Sequence, residues 1–233
     1  MPQQPRAVSL DIWGTLLGSD PDFKPERNAL LRSTFAPHYD AVEFDQAMRR
    51  ADRDADEICM SRGRDVGFAE RVRLTLRRLG TAGDSDVDAE LPNLLEQQAK
   101  LAQAHPPHAL HADLPAVVQA LSARMPVVLT SNTGMLPGTL MRRLLELAGF
   151  TGDLGQVFSC ETGWAKPDRR IFEVSWEWIR ARAREPLTRP DVVHVGDNPR
   201  ADVDGAAGFG MRTALVTPDG ASTLAVLRRI EGE

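Results

Sequence analysis

Cysteine is scarce in this chain: Cys59 and Cys160 are the two thiols among 233 residues. Two thiols exclude a disulfide scaffold and any zinc site built mainly of thiolates. No apolar run approaches the roughly 20 residues that span a bilayer, so no transmembrane segment is expected. A basic field is missing too. Lys and Arg number 28 against 33 Asp and Glu, giving a formal charge of −5 and a pI near 5.6. Such a balance lacks the attraction that drives non-specific nucleic-acid binding. The opening residues meet charge at Arg6, too early for a secretory signal. The expectation is a cytoplasmic protein with no nucleic-acid or membrane partner.

What is present describes a folded enzyme-sized chain. Hydrophobic residues make up 42% and charged residues 26%, enough for an ordinary core. The length suits one large domain, or a core with a smaller companion. Residues 7–10 read as a short buried strand, broken by Gly14 and the polar stretch 18–21. Over residues 25–104 the apolar positions fall at helical spacing: Phe44, Met48, Ala51, Ala55 and Ile58, then Val72, Leu76 and Leu79. Gly80 to Gly83 punctuates this stretch, and a further helix is expected over 88–104. Beyond the Pro106–Pro107 break, strands are expected at 126–130, 157–159, 191–195 and 213–216. They alternate with helices at 114–124, 136–148, 169–184 and 200–207. That alternation implies an α/β fold with a Rossmann-like parallel sheet and right-handed crossovers. Ligands bind outside the carboxyl ends of such strands, which directs attention to the loops after Leu10, Leu129 and Val195.

Each of those loops carries polar chemistry. Asp11 follows the first strand and reads as a nucleophile, a metal ligand or a turn residue. Thr130, Ser131 and Asn132 offer donors to an anion's oxygens, or a turn with a helix cap. Lys166 precedes a helix-starting Pro167 and would neutralise a phosphorylated centre or lie on the surface. Asp197 and Asp202, with Gly196 at the tip, suit a hard divalent cation; Asp197 or Asn198 also suits a helix N-cap.

Taken in order, Asp11 with Gly14 and Thr15, Thr130 or Ser131 with Asn132, Lys166 before Pro167, and Gly196–Asp197 with Asp202 closely resemble the four motifs of the haloacid dehalogenase-like (HAD) hydrolase superfamily. The resemblance covers residues 6–18 and 109–220. It implies a core over 1–18 and 109–233, with a helical cap over 19–108. It also implies roles. Asp11 would be a nucleophile forming a covalent aspartyl intermediate, and Ser131 or Thr130, with Asn132, would bind the transferring group. Lys166 would hold nucleophile and phosphoryl oxygens together. Asp197 would bind magnesium with Asp11 and the carbonyl of Trp13, supported by Asp202. Trp13, Thr15 and Asn198 would face a small, anionic substrate. Three carboxylates and a phosphate need cations in a dry site, and Mg²⁺ with Lys166 would provide them.

One position departs from the family pattern. Phosphatases of this superfamily carry a second Asp two residues after the nucleophile as general acid and base, and here that residue is Trp13. An indole N–H donates a hydrogen bond but shuttles no proton at neutral pH. The family's haloacid dehalogenases have an aromatic there, and halide leaves without protonation. They also use an Arg early in the cap, to which Arg27 and Arg32 correspond poorly. The loop containing Gly196, Asp197 and Asn198 instead matches the magnesium-binding branches. Three readings follow: a magnesium-dependent phosphohydrolase whose acid comes from Asp20, Asp22 or Glu26, or whose leaving group needs none; a 2-haloacid dehalogenase; or a binding protein on a HAD scaffold.

Other features are assigned to structure. His105, His108 and His111 flank a proline pair and read as a hinge rather than a metal cluster. Residues 205–210 read as a helix C-cap, since they precede a strand instead of following one. Trp164, Trp176 and Trp178 are expected to pack helices, or with Phe172 to line a cap interface. The arginines of 49–53 and 71–78 read as solvated helix faces, from which one arginine could reach an anionic substrate, and Cys160 reads as buried and inert.

Overall fold

Short strands buried on both faces organise the molecule. The computed structural model describes residues 4–81 and 84–232, so Ala82 and Gly83 of the expected 80–83 turn, and the extreme ends of the expected core, lie outside the described residues. Strands β1 (Ala7–Leu10), β4 (Val127–Ser131), β5 (Leu154–Phe158), β6 (Val192–Gly196) and β7 (Arg212–Leu215) form one parallel sheet in the order β5-β4-β1-β6-β7. Both faces are covered. Val8, Leu10, Val127, Leu129, Val193 and Val195 pack with apolar residues of α5 (Leu114–Arg124), α6 (Gly138–Leu147) and α10 (Ala221–Glu231). Ala7, Val128, Val157 and Val192 pack on the other side, with α8 (Arg169–Arg182) and α9 (Gly205–Phe209). Consecutive strand residues therefore serve opposite layers, as the two-residue period requires.

Between β1 and β4 the chain leaves the sheet and returns. Strands β2 (Leu17–Gly18) and β3 (His108–Ala109) pair antiparallel, Leu17 with Ala109 and Gly18 with His108, so departure and return lie side by side. Four helices stand between them: α1 (Phe23–Phe35), α2 (Ala41–Arg62), α3 (Phe68–Leu79) and α4 (Asp84–Ala104). Their apolar faces close on a cluster including Leu31, Phe44, Met48, Val72, Leu76, Val87 and Leu94. Helix α2 starts where the Asp40 side chain accepts from Glu43 N at 2.8 Å and ends at Gly63 in the left-handed region. Among the described residues, no helix is long and apolar enough to cross a membrane.

The sequence-based expectations differ from the structure at strand ends. β4 runs through Thr130 to Ser131 because both pair with β5, opposite Val157 and Phe158. The expected strand at 157–159 is the end of β5; its first half, with Gly155 and Gln156, has little strand propensity and is extended by pairing with β4. Ser159 already opens the short helix α7 (Ser159–Thr162). The expected helix at 200–207 is instead a π-helical turn, Pro199–Asp204, capped by the Asn198 side chain, followed by α9. Gly210 ends α9 in the left-handed region, as the C-cap reading expects.

Phe172 is the central residue of the α8 layer. It is fully buried, edge-on to His194 with ring centroids 5.3 Å apart and stacked with Phe209 at 6.2 Å. Phe172→Ala should cost about 3–5 kcal/mol in urea denaturation. A loss under about 1 kcal/mol would show that this layer does not depend on the ring.

Candidate active site

The carboxyl ends of β1, β4 and β6 converge on one buried group of charges. Asp11 follows β1, Ser131 ends β4, and Asp197 and Asp202 follow β6. The carboxylates of Asp11, Asp197 and Asp202 bring oxygens within 4.8 Å of one another. Lys166, only 2% exposed, donates from Nζ to Asp11 Oδ1 and to Asp202 Oδ1, both at 2.6 Å. Ser131 Oγ donates to Asp11 Oδ1 at 3.1 Å, while Thr15 Oγ1 reaches Oδ2 at 3.5 Å. Asp202 also accepts from the backbone N–H of Asn198 at 3.0 Å. Gly14, at φ +77°, lies under the Asp197 carboxylate, where a Cβ would collide with it.

Lys166 is fixed from its backbone as well. Asn132 Nδ2 donates to the Lys166 carbonyl at 3.0 Å, and the Lys166 N–H donates to Asn132 Oδ1 at 2.7 Å. Asn132 thus orients Lys166, though its amide also lines the cleft. The segment before Lys166 is tied to the helical insertion. Asp65 N donates to Gly163 O at 3.0 Å, and Ala165 N donates to Gly63 O at 2.9 Å. Ser159 Oγ donates to Asp65 Oδ1 at 2.6 Å and accepts from Thr133 N at 2.9 Å.

Electrostatics follow from burial and this pairing. Burial pushes the Asp11 pKa up, and neighbouring Asp202 adds to that against the pull of Lys166. Burial also raises Asp197, helped by Asp202. For Asp202 burial opposes ionisation too, but Lys166 and His194 outweigh it and hold the pKa far below the ordinary carboxylate range. Burial opposes the charge on Lys166, yet Asp11 and Asp202 hold its pKa above the usual value. Three carboxylates against one buried ammonium leave an excess of negative charge, and their donors are all hard oxygens. That donor set fits a divalent cation such as magnesium.

Thr130 does not join this group. One residue from Ser131 along β4, it faces the α8 layer and bonds Ser9 Oγ at 3.0 Å and Ser175 Oγ at 2.7 Å. Sequence reading left Thr130 and Ser131 as alternatives; strand alternation separates them. Ser9 continues to His194 Nδ1 at 2.8 Å, and His194 Nε2 to Asp202 Oδ1 at 3.1 Å. His194 was read only as part of a strand. A lone imidazole in a valine run gives no spacing signal, and its partners are 8 and 185 residues away.

The group forms the floor of a cleft of about 580 Å³, whose opposite wall is the helical insertion. Trp13, half-buried, and Asn198 line it; Thr15 is buried behind Asp11. Arg71 lines it too and corrects the reading of 71–78 as a solvated face. It is 8% exposed, with Nη1 on Asp52 at 3.1 Å, Nη2 on Asp56 at 2.9 Å and Nε on the Val66 carbonyl at 2.8 Å. Arg27 lines the cleft and is 5% exposed. His105 lies between two acids, Nδ1 being 3.5 Å from Asp20 and Nε2 3.1 Å from Glu26. Asp20, Asp22 and His105 bring ligand atoms within 4.8 Å of one another, whereas His108 pairs in β3 and His111 Nδ1 accepts from Asp113 N. Trp176 is buried in the α8 layer; Trp164 pairs with Arg64 of the insertion and carries the Arg170 guanidinium over its ring. Cys160 is half-buried at the start of α7.

The fold has counterparts among solved structures. Among solved structures, the defluorinating L-2-haloacid dehalogenase Rha0230 is 17% identical over the whole of both chains, with a TM-score of 0.63. The HAD-hydrolase YfnB of Bacillus subtilis, solved bound to magnesium, is 18% identical over 93% of this chain and 91% of its own, with a TM-score of 0.58. A HAD phosphatase from Thermococcus onnurineus is 18% identical over 97% and 98%, with a TM-score of 0.54. No curated protein matches the chain by sequence. Residues 163–231, which include Lys166, Asp197 and Asp202, match the family described as HAD-hydrolase-like. The family match covers the carboxyl-terminal part of the core, and the whole chain shares its fold with HAD-like hydrolases of known structure.

Removing Lys166 tests the charge balance. Lys166→Met, measured at pH 7 with chelator present, should lose about 3–5 kcal/mol of stability because two carboxylates stay buried without a cation. In the native protein the depressed Asp202 pKa contributes stability that is present above the unfolded carboxylate range and lost as pH falls below it. In the variant the carboxylate pKa values rise, so protonation relieves the defect and the deficit should shrink between pH 7 and pH 5. A deficit independent of pH would refute this balance.

Proposed function

We propose that this protein is a magnesium-dependent phosphohydrolase acting on a small anionic molecule through a covalent aspartyl intermediate. The observation that carries this reading is the buried group of Asp11, Asp197 and Asp202 faced by a single ammonium, Lys166. Asp11, Asp197 and the Trp13 carbonyl would hold the ion, with Asp202 in support; a bound Mg²⁺ neutralises phosphoryl oxygens and stabilises the charge of the transition state.

The chain's own residues do the rest. A carboxylate oxygen of Asp11 forms a bond to phosphorus as the bond to the leaving oxygen breaks. Lys166 and the Ser131 hydroxyl hold Asp11 in place and present positive charge and a donor to the phosphoryl oxygens. Water then attacks phosphorus, the Asp11–phosphorus bond breaks, and inorganic phosphate leaves with Asp11 regenerated.

Trp13 contributes a flat wall and an N–H donor, so the proton comes from elsewhere. Of the three acids considered from sequence, Asp20 lines the cleft, Glu26 sits behind it on the far nitrogen of His105, and Asp22 is exposed. Asp20, backed by His105, is assigned to protonate the leaving oxygen and later to take the proton of the attacking water. In single-turnover measurements of the first step, Asp20→Asn should then slow release of the leaving group from alkyl phosphates by about 10²–10⁴-fold while leaving that from acyl phosphates, which needs no proton, nearly unchanged. Equal effects on both would remove Asp20 from this role.

The aromatic side chain at position 13 favours a second reading, 2-haloacid dehalogenation. Product release from phosphate esters, acyl phosphates and short 2-haloacids decides between them. Phosphate release that requires Mg²⁺ and is lost in Asp11→Asn is the expected result. Metal-independent halide release would replace it with the second reading.

A further inference from the structure

Most buried cations of this protein have a carboxylate. Lys166 holds two, and Arg71 holds Asp52 and Asp56. Arg27 differs. It is 95% buried in α1, its Nε and Nη2 both donate to Asn28 Oδ1, at 3.3 and 2.9 Å, and among the described residues it makes no ion pair. Asn28 is itself held, its Nδ2 donating to Asp45 Oδ1 at 2.9 Å, so the amide oxygen is turned toward the guanidinium. A guanidinium has five N–H donors in a fixed plane. Asn28 occupies the Nε edge; the Nη1 edge has no partner among the described residues.

That arrangement is costly without a ligand. Desolvating a charge takes several kcal/mol, and one neutral amide does not offset it. Burial lowers the Arg27 pKa, the like charge of Arg71 adds to this, and Asp52 and Asp45 oppose it from beyond contact distance. Its remaining exposure is onto the cleft that holds Asp11. Lys24 lines the same wall, while Asp52 and Asp56 are committed to Arg71.

We propose that Arg27 is the subsite for a second anionic group of the substrate, a carboxylate on the part of the molecule that leaves, and that the substrate class is small phosphorylated carboxylic acids. Its open edge matches a carboxylate, which accepts two parallel N–H bonds from one guanidinium. This assignment rests on the phosphohydrolase reading for the reacting end and on Arg27 alone for the other. It places recognition on the insertion and reaction on the sheet.

The test uses three probes on the full chain with Mg²⁺: methylphosphonate, phosphonoacetate and malonate. By calorimetry the native protein should bind phosphonoacetate about 10- to 100-fold more tightly than methylphosphonate, the range of a charge-assisted hydrogen-bonded pair. Arg27→Met should bind the two alike and, without ligand, melt no lower than the native protein, because an uncompensated buried cation is gone. Malonate should raise the melting temperature of the native protein and not that of the variant. Arg27→Gln repeats the comparison with a polar side chain if methionine disturbs α1. A variant that melts several degrees lower yet keeps the phosphonoacetate preference would overturn the proposal, as would equal protection of both proteins by malonate. If neither phosphonate binds while malonate protects only the native protein, the subsite stands and the phosphohydrolase reading falls.

Discussion

The Lys166 ammonium, shared between Asp11 and Asp202 at 2.6 Å each, is the interaction on which the site depends. Three carboxylates gathered at adjacent strand ends would repel one another in a dry pocket. Lys166 makes the gathering possible, and the fold invests several contacts in keeping it there. Asn132 clasps its backbone from both sides. The insertion pairs with the residues just before it, at 63–65 against 163–165. His194 steadies Asp202 from below. The same residual negative charge that Lys166 leaves uncancelled is what makes the group suited to a divalent cation.

Strand alternation then sorts polar residues into two populations. On β1, β4 and β6 the residues Ser9, Thr130 and His194 all face α8, where with Ser175 they form a continuous buried row ending on Asp202. Each member has a partner, so the row costs little and fixes the register of three strands at the level of the site. Ser131 lies on the opposite face, beside Asp11. Two adjacent hydroxyls on β4 thus have unrelated tasks, one aimed at the cleft and one at the packing beneath it.

How much of this was legible in the sequence depends on the range of the interaction. The α/β alternation, the loops after β1, β4 and β6, and the residues Asp11, Lys166, Asp197 and Asp202 were readable because each sits at a strand end or helix start, a local position with a local pattern. The choice between Thr130 and Ser131 needed the end of β4, which is set by pairing with β5 and not by composition. Arg71 shared its pattern with exposed neighbours such as Arg77 and Arg78, and only the packing of α3 on α2 turns it inward, toward Asp52 and Asp56. The contacts of His105 with Asp20 and Glu26 join residues about eighty positions apart and leave no spacing to detect.

The cleft is asymmetric in a way that bears on its chemistry. Its floor carries an excess of negative charge, and its opposite wall carries two buried guanidiniums, one neutralised and one not. The two walls are joined by the β2–β3 ribbon and by the backbone bonds between 63–65 and 163–165. The second join lies directly before Lys166, the residue that pairs with Asp11 and Asp202. Trp13 stands in the cleft where an acid would make the floor more negative still. On the proposed reading, with an apolar ring there, the proton is carried by Asp20, at the edge of the insertion and next to His105. On that reading, an aromatic ring beside Asp11 and an acid on the opposite side of the cleft are two parts of one electrostatic arrangement.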